Sequence, residues 1–259
     1  FFPQLTAMVG FWATLSLNIP DFTRYCKSQK DQALGQLIGL PTTMTLFSFI
    51  GIAVTSATIV IFGRAIWDPV ELVGQLGSTT AVVISLIALT IATLSTNIAA
   101  NVVGPANGFA NLNPRLISFK TGGIITCFIG IVIMPWRLLT DLSNFTETWL
   151  IGYSALLGPI AGIMLCDYLV IRRTRLHCDD LYNTQGQYAG FRWKTVLILV
   201  VSIAPNLPGF INAATHSHYF PAVFDQIYSY AWFVGLVFAF VLYGVLNTGE
   251  KQNVAPSTV

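Results

Sequence analysis

Long uncharged stretches alternate with short charged ones along the whole chain. Residues 1–20, 32–63, 72–114, 121–136, 148–166, 195–224 and 226–249 contain no Asp, Glu, Lys or Arg. An α-helix needs about 20 predominantly apolar residues to cross the hydrocarbon core of a bilayer. The pattern predicts seven spans, at 3–18, 34–62, 79–106, 121–136, 146–171, 194–213 and 226–247, in a single membrane domain over 1–259 that ends in a tail at 248–259. The 34–62 run is longer than a span requires, so it tilts or projects beyond the bilayer. The 121–136 run is short and is expected among neighbouring helices. Barrel strands alternate apolar and polar positions, whereas these runs are continuously apolar, so the fold class is all-α and polytopic.

Composition agrees with the pattern. Hydrophobic residues make up 54% of the chain, charged residues 9%, and the mean hydropathy is +0.67. A soluble domain carries about 25% charged residues, so a soluble enzyme is excluded. Eleven of the thirteen Lys and Arg residues fall in the alternating set formed by loops 19–33, 107–120 and 172–193, Lys194 at the edge of the last, and the tail. By the positive-inside rule these segments are cytoplasmic. Seven spans then put residue 1 on the other side. The chain opens on Phe1-Phe2-Pro3 with no initiator Met and no signal-peptide n-region, and reads as a piece that enters at the outer end of a span. The basic residues form no continuous patch for nucleic acid. Cys26, Cys127, Cys166 and Cys178 have neither disulfide-framework nor metal-site spacing, and His216 and His218 fall in a loop. The pattern fixes no oligomeric state.

Polar residues inside the spans are unevenly placed. In the 79–106 run, Ala92, Ser95, Thr96, Asn97 and Asn101 interrupt an otherwise apolar sequence. Positions 92, 95 and 96 share a helix face, and Asn97 and Asn101 are i, i+4 neighbours. Such a strip serves either interhelical hydrogen bonding or ligand binding. Hydroxyls and backbone carbonyls suit a hard cation such as Na⁺. An amide both donates and accepts, as the edge of a nucleobase requires. In the first span Trp12 sits mid-depth, either a packing residue or a platform for a flat ring. Asp21 and Arg24 at the cytoplasmic edge form either a helix cap or a gate. Gly35-x-x-x-Gly39 and Gly158-x-x-x-Gly162 predict close helix contacts. Gly104-Pro105 and Pro159 predict kinks. No Walker loop, HExxH, nucleophile elbow or dinucleotide fingerprint is present, and nothing supports an enzyme.

Five segments carry a resemblance: Trp12 followed by LSLNIPDFTRY, ATLSTNIAANVVGPANGFANLNPR, MPWRLL at 134–139, WLIGYSALLGPIAGIMLCDYLVIRR at 149–173, and DLYN at 180–183. In that order they resemble the family-1 nucleobase–cation symporters, which include hydantoin, allantoin, purine, cytosine and uracil permeases, and most of all the plant-type plastid members. The resemblance implies the C-terminal part of a twelve-helix inverted-repeat, sodium-symporter-like fold, the seven spans being helices six to twelve. It implies that Trp12 stacks on the substrate ring, that Phe11 borders the site and that Asn101 hydrogen-bonds the substrate; the polar strip adds Asn97, one turn before Asn101, as a further substrate-binding candidate. It also implies that the Ala92 carbonyl and the Ser95 and Thr96 hydroxyls ligate Na⁺. Plant and fungal members are regarded as proton-coupled, so the coupling cation is Na⁺ or H⁺. No acidic residue or histidine lies mid-span, so a proton carrier is expected on helices one to five, outside this segment, or at Asp21 or Asp167 near the cytoplasmic edge. The implied substrate is a nucleobase such as uracil, adenine or guanine, or a ureide such as allantoin. No cofactor is implied, and the membrane is the plasma membrane or plastid envelope. A channel or structural membrane subunit is the reading from another class.

Overall fold

The computed structural model describes residues 1–138, 140–141, 144–183, 185–186 and 188–247. The expected tail at 248–259, with Lys251, lies outside the described residues. Eight principal helices follow in chain order: α1 Phe2–Asn18, α2 Gln29–Phe62, α3 Thr79–Leu112, α4 Phe119–Ile133, α5 Phe145–Ile171, α6 Trp193–Thr215, α7 Ala222–Ser229 and α8 Ala231–Asn247. No strand occurs among the described residues. Helices α2, α3, α5 and α6, and the stretch Phe119–Arg137 formed by α4 with the short turn after it, are long and apolar enough to cross a membrane, and the bent pair α7–α8 makes a sixth if counted as one span. A helix is the form in which such runs satisfy their own backbone groups away from water.

Local chemistry sets several ends. Ser28 caps α2, accepting the Asp31 N–H at 3.1 Å. Asp68 caps the short turn Pro69–Val73 in the same way. Gly63, with φ at 72°, ends α2 in the left-handed region that suits glycine. The structure departs from the expected boundaries where turns override hydropathy. The 121–136 run stops at Ile133, because Met134 is left-handed at φ 52° and Pro135 starts a new short turn. The 226–247 run breaks at Tyr230, and α7 meets α8 at 82°.

The chain divides into two compact units, Phe1–Leu17 with Met134–Val259, and Asn18–Ile133. The first unit is built on backbone approach. Gly158 and Gly162 of α5 leave no room for a Cβ against the Trp232 and Leu236 carbonyls of α8, and Gly235 of α8 receives the Pro159 ring. With no hydrophobic drive between helices in lipid, such close packing supplies the association. Helix α1 joins through a stripe of small residues, Thr6, Ala7, Gly10 and Ala13. Ser154 donates to the Thr6 carbonyl at 2.9 Å, and Thr6 donates to the Ser229 carbonyl at 2.6 Å.

In the second unit α4 lies on the C-terminal part of α3, with Gly122 against the Ala106 carbonyl. Thr58 closes the end of α2 by accepting the Ile66 N–H at 2.8 Å. Gly35 and Gly39, expected at a close helix contact, meet no atom within 4 Å of a built Cβ among the described residues.

Candidate functional site

The polar strip of the second unit sits where α3 changes its winding. Residues Ile98–Val102 form a π-turn, in which the Val103 N–H reaches the Ile98 carbonyl five residues back. Pro105 has no N–H for the Asn101 carbonyl four residues earlier, and its ring crowds that carbonyl, so the turn before it widens. The distortion expected at Gly104-Pro105 thus falls one turn earlier, on Asn101 itself. π-Turns of this kind recur at functional positions.

Within the strip, Asn101 Nδ2 donates to Asn97 Oδ1 at 2.7 Å. That bond orients the Asn101 amide and leaves its Oδ1 and second N–H for another partner. Ser95 Oγ donates to the Ala92 carbonyl at 3.0 Å, which brings two of the three expected cation ligands together. The Ser95 lone pairs remain on the hydroxyl, as a cation requires. Ala92, Ser95, Thr96, Asn97 and Asn101 are all exposed on this unit.

Asn107, a turn and a half beyond Asn101, was passed over in the sequence pattern. Its Nδ2 is buried without a hydrogen-bond partner among the described residues. Asn107 lies one residue past the expected 79–106 span, inside the longer helix α3. Asn18 also belongs to this unit, and its side chain lies against Gly104, where a Cβ would come within 2.9 Å of Nδ2.

Asp21 lies in the first turn of the short helix Pro20–Thr23 of the same unit, and Arg24 caps its end. Arg24 lies over the Tyr25 ring, 5.1 Å from its centroid, and no ion pair with Asp21 occurs among the described residues. The cap of that helix is Ile19, with no side-chain bond, so Asp21 is not its cap.

Phe11 and Trp12 belong to the first unit, on α1. Ala13 enters the core cluster with Leu157, Ala161 and Trp232, while Phe11 is 55% exposed and Trp12 half-buried. The two rings meet edge to face, centroids 5.4 Å apart. Helix α1 therefore docks through its small residues and leaves the aromatic pair outside that core. Asp167 is tied down at the end of α5. Its carboxylate accepts from Arg172 Nε and from the Tyr243 hydroxyl, the latter at 2.9 Å.

Residues 1–235 match the family described as permease for cytosine/purines, uracil, thiamine, allantoin. A purine-uracil permease NCS1 of Arabidopsis thaliana is 47% identical over 98% of this chain and 43% of that protein. An allantoin permease of Bacillus subtilis is 40% identical over 95% of this chain and 49% of its own length. Among solved structures, the inward-facing conformation of Mhp1 matches with a TM-score of 0.68 and 30% identity, over 95% of this chain and 50% of that one. The chain thus spans about half the length of the relatives it matches. With several helices apolar and long enough to cross a bilayer, it is part of a multi-pass integral membrane protein. Family match, fold and relatives agree, and the chain belongs to the family of permeases for cytosine/purines, uracil, thiamine and allantoin.

Proposed function

We propose that the protein is a secondary active transporter that moves nucleobases such as uracil, adenine or guanine across a membrane by alternating access, driven by a cation. The observation that carries the reading is the α3 strip. A π-turn presents an oriented Asn101 amide less than two turns from the Ser95 hydroxyl, which is paired with the Ala92 carbonyl. In this reading Trp12 stacks on the base, Phe11 and Asn97 border it, and Asn101 hydrogen-bonds its edge. Ala92, Ser95 and Thr96 receive Na⁺ if Na⁺ is the coupling ion, and Asp21 and Arg24 act at the gate. The substrate is a small molecule, the membrane is the plasma membrane or plastid envelope, and the seven spans correspond to helices six to twelve of twelve.

A ureide such as allantoin is the second substrate reading, favoured by the 40% identity to an allantoin permease. Uptake of radiolabelled uracil, adenine, guanine and allantoin by the full-length protein tests both. Saturable uptake stimulated by substrate on the opposite face supports a carrier. Flux without such exchange supports a channel, the reading from another class.

A further inference from the structure

At the end of the first unit that carries the basic 172–194 segment, α5, α6 and α8 line a wide-mouthed cavity of about 390 Å³. Its wall changes character along the helices. Ile163 and Met164 lie a turn further into α5 than Asp167, and Val196 lies in the first turn of α6; these are apolar. Arg172, Arg192, Tyr188 and Thr195 line the same cavity at the helix ends. Among the described residues that line it, two are arginines and one, Asp167, is acidic. Asp167 fixes Arg172, whose guanidinium also lies over the Tyr188 ring at 4.5 Å. The Tyr188 oxygen accepts the His177 N–H at 3.1 Å, so its own hydroxyl hydrogen can be donated.

Phe191 and Trp193, 68% and 75% exposed, stack edge to face at the entry of α6, where interfacial aromatics belong. Exposed Arg173, Arg175 and Lys194 stand beside these segments in sequence. A cavity that is cationic at the water edge and apolar toward the span matches one kind of molecule. A free phosphate would use the charge and leave the apolar wall uncovered.

We propose that this cavity holds an anionic phospholipid, its phosphate on Arg172 and Arg192 and its acyl chain along Ile163, Met164 and Val196. Basic pockets between transmembrane helices on the cytoplasmic side bind anionic headgroups by this physics. The site is separate from the substrate reading and stands without it.

Native mass spectrometry tests it, on the full-length protein in mixed micelles of phosphatidylglycerol and phosphatidylcholine. Wild type is expected to retain one phosphatidylglycerol in preference to phosphatidylcholine. Arg192→Gln should cut that preference about fivefold, the worth of one basic residue near an anionic surface, while Arg192→Lys keeps most of it. Val196→Trp, which fills the apolar wall without changing charge, should also lose the lipid. An unchanged melting temperature of Arg192→Gln in phosphatidylcholine alone separates lost lipid from lost fold. Equal retention of the two lipids, or an Arg192→Gln protein that keeps its preference, overturns the proposal. So does displacement of the lipid by excess inorganic phosphate, which would make this a free-anion site.

Discussion

Trp12 is the side chain on which the substrate reading is most exposed to test. It sits beside Ala13, which is buried in the α1–α5–α8 core, yet it lies outside that core itself. Packing of α1 is carried by Thr6, Ala7, Gly10 and Ala13. Trp12→Ala should therefore leave the protein folded and at the membrane while removing a stacking platform. Base–aromatic stacking is worth about 1–3 kcal/mol by alanine substitution, so substrate affinity should fall about tenfold to a hundredfold. Competition uptake with surface-expression control measures this, and an unchanged affinity makes Trp12 a packing residue. The α3 residues separate differently. If Ser95 and Thr96 hold Na⁺, then Ser95→Ala and Thr96→Ala weaken substrate binding through the cation, because linked affinities are reciprocal. Raising Na⁺ should then partly restore Thr96→Ala. Asn101→Ala, which removes the amide now held by Asn97, should bind poorly at every Na⁺ concentration. Equal Na⁺ rescue of all three would merge the two proposed sites into one effect.

At the scale of the helix, close approach of backbones decides what each glycine tolerates. Gly122 and Gly123 are adjacent on α4 yet differ sharply. A Cβ at Gly122 would stand 2.5 Å from the Ala106 carbonyl, whereas one at Gly123 would meet Val102 at 3.6 Å, an ordinary contact. Gly122→Ala must push α4 off α3 and should cost about 1–3 kcal/mol, the usual penalty of overpacking. Gly123→Ala should be neutral or stabilise by up to about 1 kcal/mol, the helix propensity it gains. Melting temperatures of the two full-length variants, followed by size exclusion, check the contrast; equal shifts would contradict the α3–α4 packing. These helices were legible in the sequence because uninterrupted apolar runs leave the backbone no other way to bond itself in lipid. Gly158-x-x-x-Gly162 was legible for the same reason that it packs, since small residues mark backbone approach. The identical spacing at Gly35 and Gly39 meets no such neighbour among the described residues. The π-turn at Asn101 was legible only as a kink expected one turn later at Gly104-Pro105, and the 82° break at Tyr230 was hidden because hydropathy is blind to winding. The strip of site residues was visible only as misplaced polarity. Neither the Asn97–Asn101 nor the Ser95–Ala92 bond can be read from spacing alone.

For the whole molecule, sidedness and driving force remain as measurable quantities. The proposed topology puts the basic segment 172–194 in the cytoplasm and the loop 214–225, which carries no Lys or Arg, on the other face. In a background with Cys26, Cys127, Cys166 and Cys178 replaced, Asp179→Cys should label only from the cytoplasmic side and Tyr219→Cys only from the opposite one. The reverse pattern would overturn the span count. Coupling is the larger question, because the α3 ligand set favours Na⁺ and the likeness to a plant permease is what raises the proton alternative. The described part of the chain places no acidic residue or histidine at mid-span. Asp167, the acidic residue nearest the end of α5, already receives Arg172 and Tyr243 on its two oxygens and ties α5 to α8. A proton route through it would have to break that tie on every cycle, whereas Na⁺ could use Ser95 and Ala92 as they already stand. We therefore expect replacement of Na⁺ by choline to abolish concentrative uptake by the full-length protein, with Ser95→Ala and Thr96→Ala each raising the Na⁺ concentration needed for half-maximal rate. Uptake that survives choline but collapses with a protonophore assigns the coupling to H⁺ and reduces both hydroxyls to packing. A rate indifferent to Na⁺ and protonophore alike leaves facilitated diffusion and ends the symport reading.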